Sequence, residues 1–135
     1  MAAVDAAKIW SLNYRVLLSV ISCAEADICA LGLECKELFL LAEIDEHPYP
    51  AELAATLSMP KPTVTLYLKR LEAAGFVSRE IDPADLRRHR LQLTPAGRQA
   101  TNGGLALLSV AFGKRLERLT RAQQKELKNL LEQIL

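Results

Sequence analysis

The sequence predicts a mainly α-helical protein with one small β-hairpin: a winged helix-turn-helix carrying further helices at both ends. Three observations predict it. Two short amphipathic segments meet at the proline-rich turn Ser58-Met59-Pro60-Lys61-Pro62, the periodicity switches from helical to two-residue over 77–93, and long apolar stripes of helical period flank that block. The chain is 135 residues long, 50% hydrophobic and 24% charged, which suits one folded domain or one domain with an attached helical region, and excludes a wholly disordered chain.

Asp5 is placed to cap a first helix whose apolar positions Ile9, Leu12, Val16, Val20 and Ala24 recur at three- and four-residue steps, with Gly32 as its stop. A second helix is expected over Glu34–Asp45, ended by His47-Pro48-Tyr49-Pro50, and a third over Pro50–Leu57. After the turn, Thr63–Ala74 reads as a helix with Gly75 at its left-handed C-terminal position. Val77, Arg79 and Ile81 then alternate with Ser78 and Glu80, and after a break at 82–85 the run Arg88–Leu93 alternates again, giving a hairpin. On its second strand Leu91 and Leu93 should anchor in the core, and His89 shares their parity as a packing or hinge residue. Thr94-Pro95 restarts helix, in which Gly103-Gly104 implies a bend or the close approach of another backbone. Thr120-Arg121-Ala122-Gln123 is a capping box for a last helix with Leu127, Leu130, Leu131 and Ile134 on one side.

The flanking helices carry more apolar surface than a small central lobe can cover, so residues 1–33 and 95–135 are expected to pair with a second copy, leaving 34–94 as the winged helix-turn-helix lobe that would bind nucleic acid. Charge is divided the same way. The formal net charge is only +1, but residues 1–60 hold three basic side chains against nine acidic ones, 61–98 eight against four, and 99–135 six against three. A near-neutral total excludes indiscriminate coating of nucleic acid and permits a local basic footprint.

That footprint falls on the second helix of the helix-turn-helix and on the hairpin. Val64, Leu68 and Leu71 cluster on one side of a helical wheel, leaving Pro62, Thr63, Leu66, Lys69 and Arg70 opposite, with Thr65 and Tyr67 at the flanks. Thr63 can bond base edges or phosphates, Leu66 can meet a thymine methyl, and Lys61, Lys69 and Arg70 can neutralise phosphates. In the hairpin, Arg87-Arg88-His89-Arg90 puts cationic groups at the tip, where the negative potential of a minor groove attracts an inserted arginine, Arg87 foremost. The partner implied is double-stranded DNA.

The ordered segments Glu52-Leu53-Ala54, Leu57-Ser58-Met59, Lys61-Pro62-Thr63-Val64-Thr65, Lys69-Arg70-Leu71-Glu72, Gly75-Phe76-Val77, Asp82-Pro83-Ala84-Asp85-Leu86-Arg87 and Leu91-Gln92-Leu93-Thr94-Pro95-Ala96-Gly97 closely resemble the central motif of the MarR family of bacterial transcription regulators. The flanking helices match the family's usual length and position. The resemblance implies a winged-helix homodimer on palindromic operator DNA, a repressor released by a ligand or an oxidant. It also implies that Asp85 orients Arg87 toward the minor groove, as in the family's Asp-x-Arg wing motif. The family often has arginine where Leu66 stands, so its operator preference does not carry over. Effectors in the family lie between the dimerisation helices and the DNA-binding lobe, which here points to Trp10, Tyr14, Phe39 and Phe112 and to an aromatic or lipophilic small molecule.

Thiol sensing is the competing reading of the effector. Cys23, Cys29 and Cys35 are odd in number and six apart, a spacing of neither a disulfide framework nor a zinc site, so they are read as reduced thiols. A free cysteine is usually a small buried hydrophobe, and the family's peroxide sensors keep their reactive cysteine nearer the chain start than Cys23. A protein-contact module with a basic face is the other alternative. No phosphate loop, HExxH or spaced nucleophile-base pair is present, so neither an enzyme nor a need for metal or organic cofactor is expected. The start lacks a signal-peptide pattern and no apolar run has the ~20 residues that span a bilayer, which predicts a cytoplasmic protein with no membrane partner.

Overall fold

The computed structural model describes residues 2–135, among which lie six helices and a two-stranded antiparallel sheet in the order α1 (Ala6–Ala30), α2 (Cys35–Glu43), α3 (Pro50–Thr56), α4 (Lys61–Ala73), β1 (Val77–Ile81), β2 (His89–Leu93), α5 (Pro95–Leu116) and α6 (Arg121–Ile134). The caps explain most boundaries. The Asp5 carboxylate accepts the Lys8 amide at 3.0 Å at the start of α1, and Gly32 closes that helix at φ +84. Glu34 precedes α2, its amide donating to the Glu37 carboxylate at 2.9 Å.

The turn between α3 and α4 is built on a left-handed residue, Ser58 at φ +51. The Met59 amide bonds the Ala54 carbonyl (3.0 Å) and the Ser58 amide that of Ala55 (3.3 Å), the paired bonds that end a helix with a sharp change of direction. Gly75 ends α4 in the same way at φ +80, with Phe76 to Leu71 at 2.9 Å and Gly75 to Glu72 at 3.0 Å. Helix α4 starts two residues earlier than the periodicity suggests: Lys61 and Pro62 occupy its first turn. An amide there has no intrahelical partner, so proline costs the helix nothing.

In the hairpin, Val77 pairs with Leu93, Arg79 with Leu91 and Ile81 with His89. Val77 and Leu91 are buried and Leu93 half-buried. His89 is exposed, which rules out the packing half of its expected packing or hinge role. The strand pair runs past the edge of the lobe, so the parity that buries Leu91 leaves Ile81 and His89 in solvent.

Helix α5 is continuous through Gly103-Gly104. What needs the room is side chains rather than another backbone: a Cβ on Gly104 would lie 2.6 Å from Leu38 Cδ1, and one on Gly103 would meet Leu31 at 3.5 Å. Gly97 does face backbone, since a Cβ there would fall 1.9 Å from the Phe76 carbonyl oxygen. The Thr94 hydroxyl accepts the Gly97 amide at 3.0 Å and donates to the Gly75 carbonyl at 2.6 Å. Thr120 and Gln123 form the capping box of α6 through reciprocal bonds of 2.9 and 3.2 Å.

By contact the described chain forms two units, one running to Ala24 together with Leu107–Leu135, the other Glu25–Ala106; the long helices α1 and α5 each contribute to both. The second unit holds the main core, with Ile28, Leu38, Leu41, Ile44, Leu53, Val64, Leu68, Leu71 and Leu91 fully enclosed. The first leaves Ile9, Trp10, Leu12, Leu130, Leu131 and Ile134 exposed.

Candidate nucleic-acid interface

Helix α4 buries the face that its wheel assigns to the core, Val64, Leu68 and Leu71. The opposite face carries Lys61, Pro62, Thr65, Leu66 and Lys69 exposed and Thr63 half-buried. Leu66, 58% exposed, is a large apolar side chain held in water without a core partner. The Thr65 hydroxyl donates back to the Lys61 carbonyl at 3.0 Å, leaving its oxygen lone pairs free to accept.

The neighbouring cations differ in what they face. Among the described residues Lys61 and Lys69 make no ion pair. Arg70 turns to α2: its Nη2 donates to Glu34 at 3.0 Å and lies 3.7 Å from the Glu37 carboxylate, whose side chain is nearly enclosed. The hydrogen bond to Glu34, then the charges of Glu37 and Glu34, strengthen the hold of Arg70 on its proton. Arg70 therefore meets carboxylates where the sequence assigns it phosphates.

The three wing arginines are likewise unequal. Arg87 is 92% exposed in its side chain, with only Asp85 beside it; Asp85 Oδ1 accepts the Arg87 amide at 3.0 Å and lies 3.4 Å from its Nε. Arg90 is exposed and paired in register with Glu80, to which Gln92 donates at 2.6 Å. Arg88 stacks its guanidinium 3.6 Å above the centre of the Tyr49 ring. Tyr49 in turn donates its hydroxyl to Asp82 at 2.5 Å. That bond, followed by the Ala84 amide, holds the Asp82 carboxyl below the usual aspartate range, and it pushes the Tyr49 phenol up.

Sequence reasoning misses Tyr49, Asp82, Glu34 and Glu37 as neighbours of the interface. The only signal for them is a surplus of cations in a small lobe, which demands some acidic or aromatic partner without saying which. Beside the turn before α3, His47 lies 3.9 Å from Glu43 and 4.0 Å from Glu52, and Glu46 is close enough for Glu43, Glu46 and His47 to offer three ligand atoms within 4.8 Å, on half-exposed or exposed side chains.

Of the aromatic residues expected around an effector, Trp10 and Tyr14 stack with ring centres 5.7 Å apart on α1. Trp10 and Phe112 line a groove of about 610 Å³ with Ile9, Leu127, Leu130 and Ile134. Phe39 belongs to the other unit, half-buried on α2. All three cysteines are free thiols. Burial, then the charge of Glu25, pushes the Cys35 thiol up, away from the reactive thiolate. Cys23 is exposed, its Sγ 3.7 Å from Arg115, which also donates to Ser19 at 2.9 Å.

A helix-turn-helix with an open basic and apolar face on its second helix, followed by a two-stranded wing with an arginine at its tip, defines a winged-helix DNA-binding protein. The MarR family profile matches residues 33–89. The HTH-type transcriptional repressor Rv2887 of Mycobacterium tuberculosis is 32% identical over 136 residues, covering 99% of this chain and 98% of the repressor. The chain belongs to the MarR family and is a DNA-binding transcriptional regulator. The crystal structure of Rv2887 in complex with DNA superposes with a TM-score of 0.75 at 29% identity, covering 98% of each chain. Its complex with p-aminosalicylic acid gives 0.74 at 31% identity, covering 92% of this chain and 95% of that one. Among the described residues no single helix is long and apolar enough to cross a membrane.

Proposed function

We propose that the protein is a cytoplasmic homodimeric repressor that reads a palindromic operator and leaves it on binding an aromatic small molecule. The observation that carries this reading is the open face of α4 beside the free Arg87. Thr63 and Leu66 meet base edges in the major groove, Lys61 and Lys69 neutralise phosphates, and Arg87, steadied by Asp85, enters the adjacent minor groove. Pro62 and Thr65 shape the approach of the helix start, and Arg90 adds charge to the wing. Residues 1–33 and 95–135 form the dimer: α6 buries none of its residues within one chain, and its exposed Leu130, Leu131 and Ile134 ask for a second copy.

An aromatic acid is the effector class that fits. The relative Rv2887 has been crystallised with p-aminosalicylic acid. Here the groove lined by Trp10 and Phe112 adjoins one of about 540 Å³ in which Arg15, Arg115 and Arg118 stand against Leu12 and Leu127, an apolar wall with cations for a carboxylate. By mass action such a ligand releases DNA if it favours a dimer whose recognition helices are wrongly spaced. The role is one of binding and not of catalysis.

The test is fluorescence anisotropy on labelled duplex DNA across a salt series, with p-aminosalicylate added to the complex. The reading expects a steep fall of affinity with salt and release by millimolar aromatic acid. Salt-insensitive binding would favour the protein-contact module. Release by peroxide, abolished in a variant lacking Cys23, Cys29 and Cys35, would replace ligand sensing by thiol sensing.

A further inference from the structure

Tyr49 joins the helix-turn-helix to the wing. It is the cap residue of α3, with extended backbone at φ −123 and ψ 138, and its hydroxyl reaches Asp82 at the far end of β1. Asp82 is 6% exposed; its second oxygen accepts the Ala84 amide at 2.9 Å. The loop beyond is closed by backbone bonds, Asp82 amide to Arg88 carbonyl at 2.9 Å and Arg88 amide to Asp85 carbonyl at 3.0 Å. Arg88 then returns over the Tyr49 ring. One residue earlier, the Pro48 carbonyl accepts the Leu91 amide at 2.8 Å and so ties the same segment to β2.

We propose that Tyr49, Asp82 and Arg88 form a latch that fixes the wing against the helix-turn-helix and thereby aims Arg87, so that Arg88 is a positioning residue and not a DNA contact. The inference rests on the reading of Arg87 as the minor-groove probe. A two-stranded hairpin is marginal on its own, and this one projects beyond the core at Ile81 and His89. Its tip needs a tether to hold one direction. A guanidinium 3.6 Å from a ring centre is well inside cation–π range. Swinging it to a phosphate would uncover the ring and remove a cation from beside Asp82. Arg87, one residue away with the same charge, has no such engagement beyond Asp85. A preset wing gains affinity by lowering the ordering cost of binding.

The experiment is a double-mutant cycle on an operator obtained by selection from random DNA. Tyr49→Phe deletes the hydroxyl and keeps the ring beneath Arg88; Arg88→Ala deletes the stack; each is measured alone and with Arg87→Ala, across salt. The latch predicts that each single variant weakens binding roughly threefold to tenfold, leaves the salt slope unchanged, and costs nothing more once Arg87 is absent. In the DNA-free protein, hydrogen exchange at the Ala84 and Leu91 amides should quicken, while the melting temperature of Tyr49→Phe falls by only a few degrees, the loss of one hydrogen bond to Asp82 without global unfolding. A salt slope lowered by about one unit per subunit in Arg88→Ala would make Arg88 a phosphate contact and overturn the proposal. So would penalties that persist undiminished beside Arg87→Ala. If Arg87→Ala alone binds as wild type, the wing reading itself falls and takes the latch with it, a failure visible in that single variant.

Discussion

Lys69 and Arg70 sit side by side on α4, yet Lys69 faces solvent while Arg70 is held by Glu34 and Glu37. On the proposed reading only the first displaces counterions from DNA. Lys69→Ala should therefore lower the slope of log affinity against log salt by about one unit per subunit. Arg70→Ala should leave that slope unchanged and instead lower the melting temperature, since Glu37 loses its cation. Equal slope losses in the two variants would return Arg70 to the phosphate contacts. Asp82 gives the residue scale a pH dependence. Its folded pKa is depressed, by the Tyr49 hydroxyl first and then the Ala84 amide, with Arg88 adding its charge and burial opposing. A depressed carboxyl contributes stability above its unfolded value, about 4, and loses it as pH falls through the lower folded value. Tyr49, with its phenol pushed up, holds its side of the bond until pH rises above about 10. Thermal melts of wild type and Asp82→Asn should differ by a constant gap from pH 8 to pH 5, and the gap should close below about pH 4. A gap that closes near neutrality would contradict this assignment.

At the scale of elements, the junction of β2 and α5 depends on Gly97, whose position against the Phe76 carbonyl leaves no room for a methyl group. Phe76 also accepts the Thr94 amide at 3.1 Å, so its carbonyl cannot turn away without losing that bond. Gly97→Ala should cost ~3 kcal/mol in chemical denaturation, the upper end for overpacking, because the obstacle is backbone. A cost below about 0.5 kcal/mol would mean that α5 shifts freely. The same elements show where the sequence is readable. Helical periodicity identified the buried face of α4, and capping chemistry identified Asp5, Thr94 and Thr120, because both signals are local. The start of α4 was harder, since Pro62 signals a turn and a first helical turn equally well. A packing role for His89 was not met because parity tells which way a side chain points and not where the strand leaves the lobe. Which of several adjacent cations is free was not legible at all: Arg70 is claimed by a carboxylate 36 residues away in sequence, and Arg88 by the ring of Tyr49, which precedes the whole helix-turn-helix in the chain.

At the scale of the molecule, one chain presents half of what reading a palindrome requires. On the proposed reading its recognition helix and wing address a single half-site, and the apolar residues of α1 and α6 that remain in solvent are the surface offered to a second copy. Two copies related by a two-fold axis place two recognition helices on one face of the duplex, one helical turn or a multiple apart. An aromatic acid bound among the α1, α5 and α6 side chains would act on that spacing without touching DNA. The central claim, a two-fold dimer that reads sequence through α4 and Arg87, is tested most directly by selecting bound duplexes from random DNA with the purified protein and sequencing them. The account predicts an enriched inverted repeat with half-site centres about ten base pairs or a multiple apart, flanked by A·T pairs whose enrichment vanishes when selection is repeated with Arg87→Ala. A selected pool indistinguishable from the starting one, or a single unrepeated site, would contradict it.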